Sequence, residues 1–255
     1  MDKAMLKLEN KSIAQAIFVA GYKRDLEIRT KQFEIEKAFK SIIPAVSVNT
    51  NIDDNANPQA ARVILSNGLI SAHFTQVSAQ LNLDINDKDW PGLDDIKKYI
   101  IHNVTIFQEC LCSVVPLASQ LERGLVVAVK YPVDIEKYSD VDIFGYIQDK
   151  FISLPSFGLP ASASLNVGYK TDDNYYISLG ISQYKMASSE IPIGSSGLIL
   201  DFSSLPISET GIELKVDINS RPLLNTSNTK DVTGTILNKV FDFIYGDADK
   251  IMGIK

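Results

Sequence analysis

The chain has 255 residues, of which 45% are apolar and 22% charged, and its formal net charge is −6. This composition is typical of a folded globular protein and excludes a disordered chain, while the acidic balance disfavours nucleic acid as a partner. No apolar run approaches the roughly 18 to 20 residues that a membrane-spanning helix requires, so we expect no membrane partner.

The first two predicted elements are a strand and a helix. Ile13 to Tyr22 is a continuous apolar stretch of strand length, which indicates a buried strand. Between Arg24 and Ile43 the apolar spacing fits both a strand and a helix, and we predict a helix in the later part that ends before Pro44. A solvated charged surface is the favoured interpretation, and a nucleic-acid patch the alternative, for the cations Lys23, Arg24, Arg29, Lys31, Lys37 and Lys40.

A β-hairpin is predicted next. The segments Arg62 to Ser66 and Leu69 to Thr75 flank Asn67-Gly68, a dipeptide that readily adopts the positive φ angles of a type I′ turn. From Val77 to Ile85, apolar and polar residues then alternate strictly. This alternation predicts a strand with one buried and one wet face.

A long amphipathic helix follows Trp90. Its apolar residues recur at three- and four-residue steps, which is the helical period. Cys110 and Cys112 lie one residue apart within it, so their side chains point to different faces and predict neither a disulfide nor a shared metal. We therefore expect a reducing, cytoplasmic environment. The apolar positions are Ile96, Ile100, Val104, Phe107, Leu111 and Val114.

The second half repeats strands followed by a helix. The turn residues from Ser153 to Ser164 indicate a linker, and Thr171 to Asn174 indicate a second hairpin turn. Thr229 is the predicted N-cap of the last helix. The remaining predicted elements are strands at Leu125 to Tyr131, Gly197 to Phe202 and Gly211 to Ile218, and helices at Val141 to Phe151 and around Ile236 to Ile244.

These elements predict an α+β fold. We expect largely antiparallel sheets with long amphipathic helices, arranged as two similar sheet-plus-helix units packed together. The predicted units are residues 1–135 and 136–255, and one continuous domain is the alternative.

The usual signatures of catalysis are missing from the sequence. The histidines His73 and His102 have no second histidine or cysteine pair at metal-ligand spacing. The sequence contains no phosphate-binding Gly-x-x-x-x-Gly-Lys segment, and Gly194 to Gly197 lacks the spacing of a nucleophile elbow. Sheet and helix surfaces then remain available to another protein. We therefore predict a non-catalytic protein with no cofactor, whose partner is another protein or a second copy.

A metal-dependent nuclease is the alternative from another functional class. Asp201 ends a predicted strand, and Glu213 and Lys215 project from one face of the next strand. In such a site the two carboxylates hold a divalent cation that activates water, and the lysine stabilises the developing negative charge. An amphipathic strand also produces Glu-x-Lys without any catalytic role, and this simpler interpretation is favoured.

Several segments carry a resemblance to a known group of proteins. They are the strand Ile13-Ala14-Gln15-Ala16-Ile17, Trp90 before a long helix, Val129-Lys130-Tyr131 at the end of a strand, and Val216-Asp217-Ile218 before the last helix. The order of these segments along the chain resembles that in a widespread family of uncharacterised bacterial proteins of about this length. The resemblance implies no activity or site residues. Members look like cargo of mobile or defence-related gene neighbourhoods, which implies an adaptor role in a bacterial defence or toxin-control system.

Overall fold

The structure is a computed structural model that describes residues 6–50, 52–53, 55–86, 89–117, 120–152, 157–187, 206–223 and 231–254. Within these ranges, every helix is too short or too polar to cross a membrane. The strands are β1 (Ser12–Tyr22), β2 (Val48–Asn49), β3 (Val63–Asn67), β4 (Ile70–Phe74), β5 (Ser78–Asp84), β6 (Gln120–Val133), β7 (Ser164–Lys170), β8 (Tyr176–Ala187) and β9 (Ile207–Asn219). The helices are α1 (Gln32–Phe39), α2 (Leu93–Val114), α3 (Asp140–Phe151), α4 (Thr233–Gly246) and α5 (Ala248–Met252).

The strands form one sheet in which the order of the strands differs from their order in the chain. Their order is β2-β3-β4-β5-β1-β6-β9-β8-β7, and β3, β4, β5 and β1 pair antiparallel in succession. The predicted α+β class with an antiparallel sheet is thus confirmed. The further statement that the chain consists of two similar sheet-plus-helix units stays a prediction.

Contacts between residues divide the chain into two compact units, and each is assembled from separated segments. Unit 1 contains Met1–Ser12, Val129–Val167 and Leu179–Leu214, and unit 2 contains Ile13–Ala128, Gly168–Ser178 and Lys215–Lys255. The division into residues 1–135 and 136–255 stays a prediction about the sequence.

The first hairpin forms, but its turn lies one residue later than predicted. Asn67 pairs with Ile70, so the two-residue turn is Gly68-Leu69 instead of Asn67-Gly68. Gly68 has φ of 61°, whereas Asn67 keeps a negative φ as the last residue of β3. A single positive φ at the first turn position is typical of a type II′ turn, so the predicted type I′ turn is wrong.

The second hairpin is confirmed. The N–H of Thr171 donates to the carbonyl of Tyr175 at 2.9 Å, and the N–H of Asn174 donates to the carbonyl of Thr171 at 3.0 Å. Asn174 has φ of 62°, a left-handed conformation that asparagine tolerates better than most residues.

The core of unit 2 is built around four phenylalanines. Phe39 of α1 lies with its ring centroid 5.0 Å from Phe74 of β4 and 5.1 Å from Phe107 of α2. Phe18 of β1 meets Phe107 edge-to-face at 6.0 Å. These rings are buried, so they fix α1 and α2 on one side of the strands.

Unit 1 contains a buried lysine with a carboxylate partner. Lys130 Nζ lies 3.2 Å from Glu209 Oε1, and the hydroxyl of Tyr184 donates to the same oxygen at 2.8 Å. Ile143 and Ile147 of α3 are fully buried. The paired charge explains how unit 1 accommodates an almost fully buried ammonium group.

Two predicted features lie outside the described residues, namely the strand Gly197 to Phe202 and the N-cap Thr229. At the start of α4, the carboxylate of Asp231 accepts hydrogen bonds from the N–H of Thr233 at 2.9 Å and from its hydroxyl at 2.6 Å. A carboxylate at this position stabilises the first turn of a helix.

Candidate functional site

The strands of unit 2 separate a buried face from a partly exposed one. On β5, Ala79, Leu81 and Leu83 are fully buried, whereas the intervening Gln80 and Asn82 are partly exposed. Successive side chains of a strand point to opposite sides of the sheet, so the second set shares the side opposite the phenylalanine core.

We call this side of unit 2 the open face. Across it His73 lies opposite Gln80, and Gln80 lies opposite Val19. Burial lowers the pKa of His73 below its ordinary value, which favours the neutral imidazole. The partly exposed residues of the open face are Ile17, Val19, Ile64, Ser71, His73, Gln80, Asn82, Glu122, Val126 and Asp217.

Two glycines of the open face leave room for the side chains of residues on the neighbouring strands. A Cβ on Gly21 would lie 2.7 Å from Cγ of Glu122, and a Cβ on Gly124 would lie 3.0 Å from Cβ of Asn219. Both distances are shorter than ordinary carbon contacts. The missing side chains therefore leave space in which Glu122 and Asn219 sit.

A small concavity lies beside these glycines. Its volume is about 110 Å³, and we call it the open-face pocket. Aliphatic and charged side chains meet there, a combination typical of the polar groups and apolar walls of binding sites. The lining residues are Val19, Glu122, Arg123, Gly124, Val126, Asp217, Asn219 and Arg221.

The charges in the open-face pocket are unevenly matched. Arg221, in a short 3₁₀ turn after β9, donates from Nε to Glu122 Oε2 at 3.0 Å. Asp217 accepts a hydrogen bond from the Asn219 amide at 3.2 Å but forms no ion pair with a described residue. The pocket therefore contains one compensated carboxylate and one uncompensated carboxylate.

The pKa values of these groups reflect that difference. Burial raises the pKa of Asp217 above its ordinary value, against the opposing effects of the Asn219 hydrogen bond and the charge of Arg221. The hydrogen bond from Arg221 to Glu122 raises the pKa of the arginine. Desolvation thus acts on Asp217 more strongly than any favourable contact within the protein.

A second polar cluster surrounds Arg123, which also lines the open-face pocket, and it has a structural role. Arg123 is buried and donates from Nη2 to Gln120 Oε1 at 2.6 Å, and Gln108 of α2 donates to the same oxygen at 2.8 Å. Arg123 Nε lies 3.3 Å from Asp231 Oδ1, an ion pair without hydrogen-bond alignment. Burial lowers the pKa of Arg123. The cluster connects α2, β6 and the start of α4.

The structure places the residues of the nuclease alternative only in part. Asp201 lies outside the described residues. Glu213 is partly exposed and Lys215 exposed, opposite the fully buried Ile212 and Leu214. Across the described ranges, no group of three or more histidine, cysteine, aspartate or glutamate side chains is arranged to hold a metal ion. A metal site at Asp201, Glu213 and Lys215 stays a prediction.

The basic residues near the N-terminus of unit 2 have neighbours that restrain them. Lys31 Nζ lies 2.6 Å from Asp25 Oδ2, and the guanidinium of Arg24 donates to Gln76 Oε1 at 2.9 Å. The negative charge of Asp25 thus offsets the positive charge of Lys31 locally.

Sequence patterns did not reveal the residues of the open-face pocket. Asp217 continues the alternation of Glu213 and Lys215 along β9, which signals the shared face, but nothing local marks it as half-buried. Glu122 and Arg221 meet across 99 sequence positions. Their pairing depends on β6 lying beside β9, which local periodicity does not specify.

No family model matches this chain, and neither a curated protein nor a solved structure matches it at a significant level. The proposed function therefore rests on the geometry of the open face. The family resemblance drawn from the sequence stays a prediction.

Proposed function

We propose that this protein is a non-catalytic binding or adaptor subunit, and that its partner protein docks on the open face of unit 2. The observation that carries the proposal is Asp217, a half-buried carboxylate whose desolvation is not offset by an ion pair with a described residue. A charge that weakens the free protein is typical of a functional position, because selection for folding alone would remove it.

The surroundings of Asp217 support a protein partner. Val19 and Val126 place aliphatic surface beside the polar Glu122, Asn219 and Arg221. Apolar surface mixed with a few specific polar groups is the composition of protein–protein interfaces. Interface residues of this kind gain stability when a partner excludes water and supplies the missing contacts.

Charge favours a different protein over a second copy of this chain. The net charge of the chain is −6. In the open-face pocket, Arg221 is paired with Glu122 and Arg123 with Asp231, so Asp217 is the carboxylate left without an ion pair to a described residue. A two-fold dimer through this face would bring identical acidic patches together, and such like-charge contacts oppose association. The family resemblance suggests that the partner belongs to a defence or toxin-control system.

The test compares two arginine substitutions of equal charge. Gln80→Arg places a long cation at the centre of the open face, whereas Thr105→Arg places one on the exposed side of α2. A protein captured from the native host is first purified and its affinity measured by calorimetry with wild type and both variants. We expect Thr105→Arg to bind like wild type and Gln80→Arg to bind at least about tenfold more weakly, a difference of about 1.4 kcal/mol.

Hydrogen exchange of the complex locates the contact independently. Protection on β1, β5 and β6 supports the proposal, whereas protection confined to α2 and α4 refutes it. Magnesium-dependent cleavage of DNA by the pure protein, abolished by Glu213→Ala, would instead establish the nuclease alternative.

A further inference from the structure

We infer that the open-face pocket binds a lysine or arginine side chain presented by the partner protein, an inference that rests on the proposed function. The relevant feature is the position of Asp217 in an apolar-walled pocket whose other carboxylate is already paired.

Among the charged residues that line the pocket, Asp217 is the one without an ion pair to a described residue, since Arg123 is paired with Asp231. Arg221 compensates Glu122 through a 3.0 Å contact, so that pair adds no net charge. An incoming cation would complete the second pair and relieve the cost of holding Asp217 away from water. An incoming carboxylate or phosphate would instead meet two acids and two guanidinium groups that are already paired, Arg221 with Glu122 and Arg123 with Asp231.

The carboxylate of Asp217 also has unused capacity as an acceptor. The amide of Asn219 supplies one hydrogen bond at 3.2 Å. An ionised carboxylate has two oxygens and about four lone-pair positions. An ammonium or guanidinium group can therefore bind without displacing Asn219.

The size and walls of the pocket fit one basic side chain. Its volume of about 110 Å³ is well below the roughly 300 Å³ of pockets that hold drug-sized ligands. Val19 and Val126 provide aliphatic contact, and lysine and arginine place methylene groups on such surfaces while their charged ends stay near polar groups. A single cationic side chain uses both features.

Cation binding at Asp217 should depend on pH. The charged groups facing Asp217 are Glu122 on β6 and Arg221 after β9, and Tyr176 on β8 adds a phenol near Arg221. Because burial raises the pKa of Asp217, cation binding should weaken as the pH falls through that raised value.

The experiment uses N-acetyl-argininamide and N-acetyl-lysinamide as probes, with N-acetyl-citrullinamide as the neutral isostere of the arginine probe. Methyl NMR of the full chain reports on Val19 and Val126. We expect both cationic probes to shift these signals with dissociation constants on the order of 1 to 10 mM, and the citrulline probe to leave them unchanged at equal concentration.

Matched variants test the role of Asp217. Asp217→Asn keeps the shape of the side chain and should weaken probe binding at least about tenfold. Glu109→Gln removes the same charge from an exposed position on α2 and should leave binding within about twofold of wild type. Val19→Phe keeps the charge of Asp217 but fills the pocket, so it should also abolish the shifts.

Equal shifts with the citrulline probe, or equal losses in Glu109→Gln and Asp217→Asn, would overturn the inference. Failure of the proposed function is separable from this result. If the partner protects the open face but the probes do not bind, the cation inference fails alone. If the partner protects another surface, the proposed function fails whatever the probes do.

Discussion

Asn219 donates its side-chain amide to the carboxylate of Asp217 at 3.2 Å, two positions along the same face of β9. This hydrogen bond is the one direct polar contact of the Asp217 side chain that the described residues provide. Because burial still raises the pKa of Asp217, the hydrogen bond only partly offsets desolvation.

Asp217→Asn should stabilise the protein at neutral pH while it weakens cation binding. A raised pKa means that the folded state holds the proton more tightly, so the relative stability of the wild type falls as the pH rises from the ordinary value of 3.8 through the raised value. We expect a gain of about 1 kcal/mol or less at pH 7 and no gain below pH about 3.5. Urea unfolding of both proteins at several pH values measures it. A variant less stable than wild type at pH 7 would contradict the assigned cause of the shift.

Gly211→Ala should destabilise unit 1. A Cβ on Gly211 would overlap the backbone carbonyl of Tyr131 and lie 2.8 Å from Cα of Pro132. Main-chain atoms cannot move as a flexible side chain can, so we expect a loss of about 2 to 3 kcal/mol in the free energy of unfolding. Gly246→Ala at the end of α4 is the control, since a Cβ there meets nothing within 4 Å. That control should be neutral or slightly stabilising, and equal losses in both variants would reject the steric explanation.

Tyr22→Phe should weaken the turn between β4 and β5. The buried hydroxyl of Tyr22 donates to the carbonyl of Thr75 at 2.7 Å and lies 3.0 Å from that of Ser78. Burial raises its pKa, so the phenol stays a donor across the ordinary pH range. Its removal should cost about 1 to 2 kcal/mol in chemical denaturation. Tyr169→Phe alters an exposed phenol and should change stability by less than about 0.5 kcal/mol.

The first hairpin shows how far local sequence predicts the fold. Asn67-Gly68 indicated a hairpin, and the hairpin forms because apolar residues alternate on both sides of it. The predicted position of the turn was wrong by one residue. In the observed register Leu65 lies opposite Ala72, and both side chains are buried in the core. A turn at Asn67-Gly68 would instead set Leu65 opposite Ile70, which is partly exposed. Core packing therefore overrides the preference of the turn dipeptide.

The candidate site was less predictable than the fold because it depends on strand order. A continuous apolar stretch identified β1, and periodicity identified β5 and α2, since each of these two has its own buried face. Glu122 and Asp217 become neighbours only because β6 lies between β1 and β9 in the sheet. The glycines Gly21 and Gly124 were ordinary strand residues in sequence, and their role emerges from the side chains that they admit.

Gly68→Ala should cost stability through backbone conformation alone. Gly68 has φ of 61°, and a Cβ there would meet nothing within 4 Å. An L-residue in this left-handed conformation lowers the free energy of unfolding by about 1 to 2 kcal/mol, even without a steric contact to neighbouring residues. Circular dichroism during thermal unfolding measures the loss. Asn67→Ala is the informative comparison, because a type I′ turn at Asn67-Gly68 would make it equally harmful and the observed register makes it mild.

Arg221→Gln separates a cation site from an anion site at the open-face pocket. Removing this guanidinium frees Glu122 and leaves two uncompensated carboxylates, so cationic probes should bind about threefold or more tightly at pH 7 and low salt. Arg221 also lowers the pKa of Asp217, so in the variant the loss of binding on acidification should begin at higher pH. The gain should shrink as salt is raised, since a partly exposed charge is screened. If Arg221 were itself the ligand-binding group, the same substitution would abolish binding of the pocket's ligand. Weaker binding of the cationic probes to the variant in NMR titrations would therefore reverse the assignment of the site.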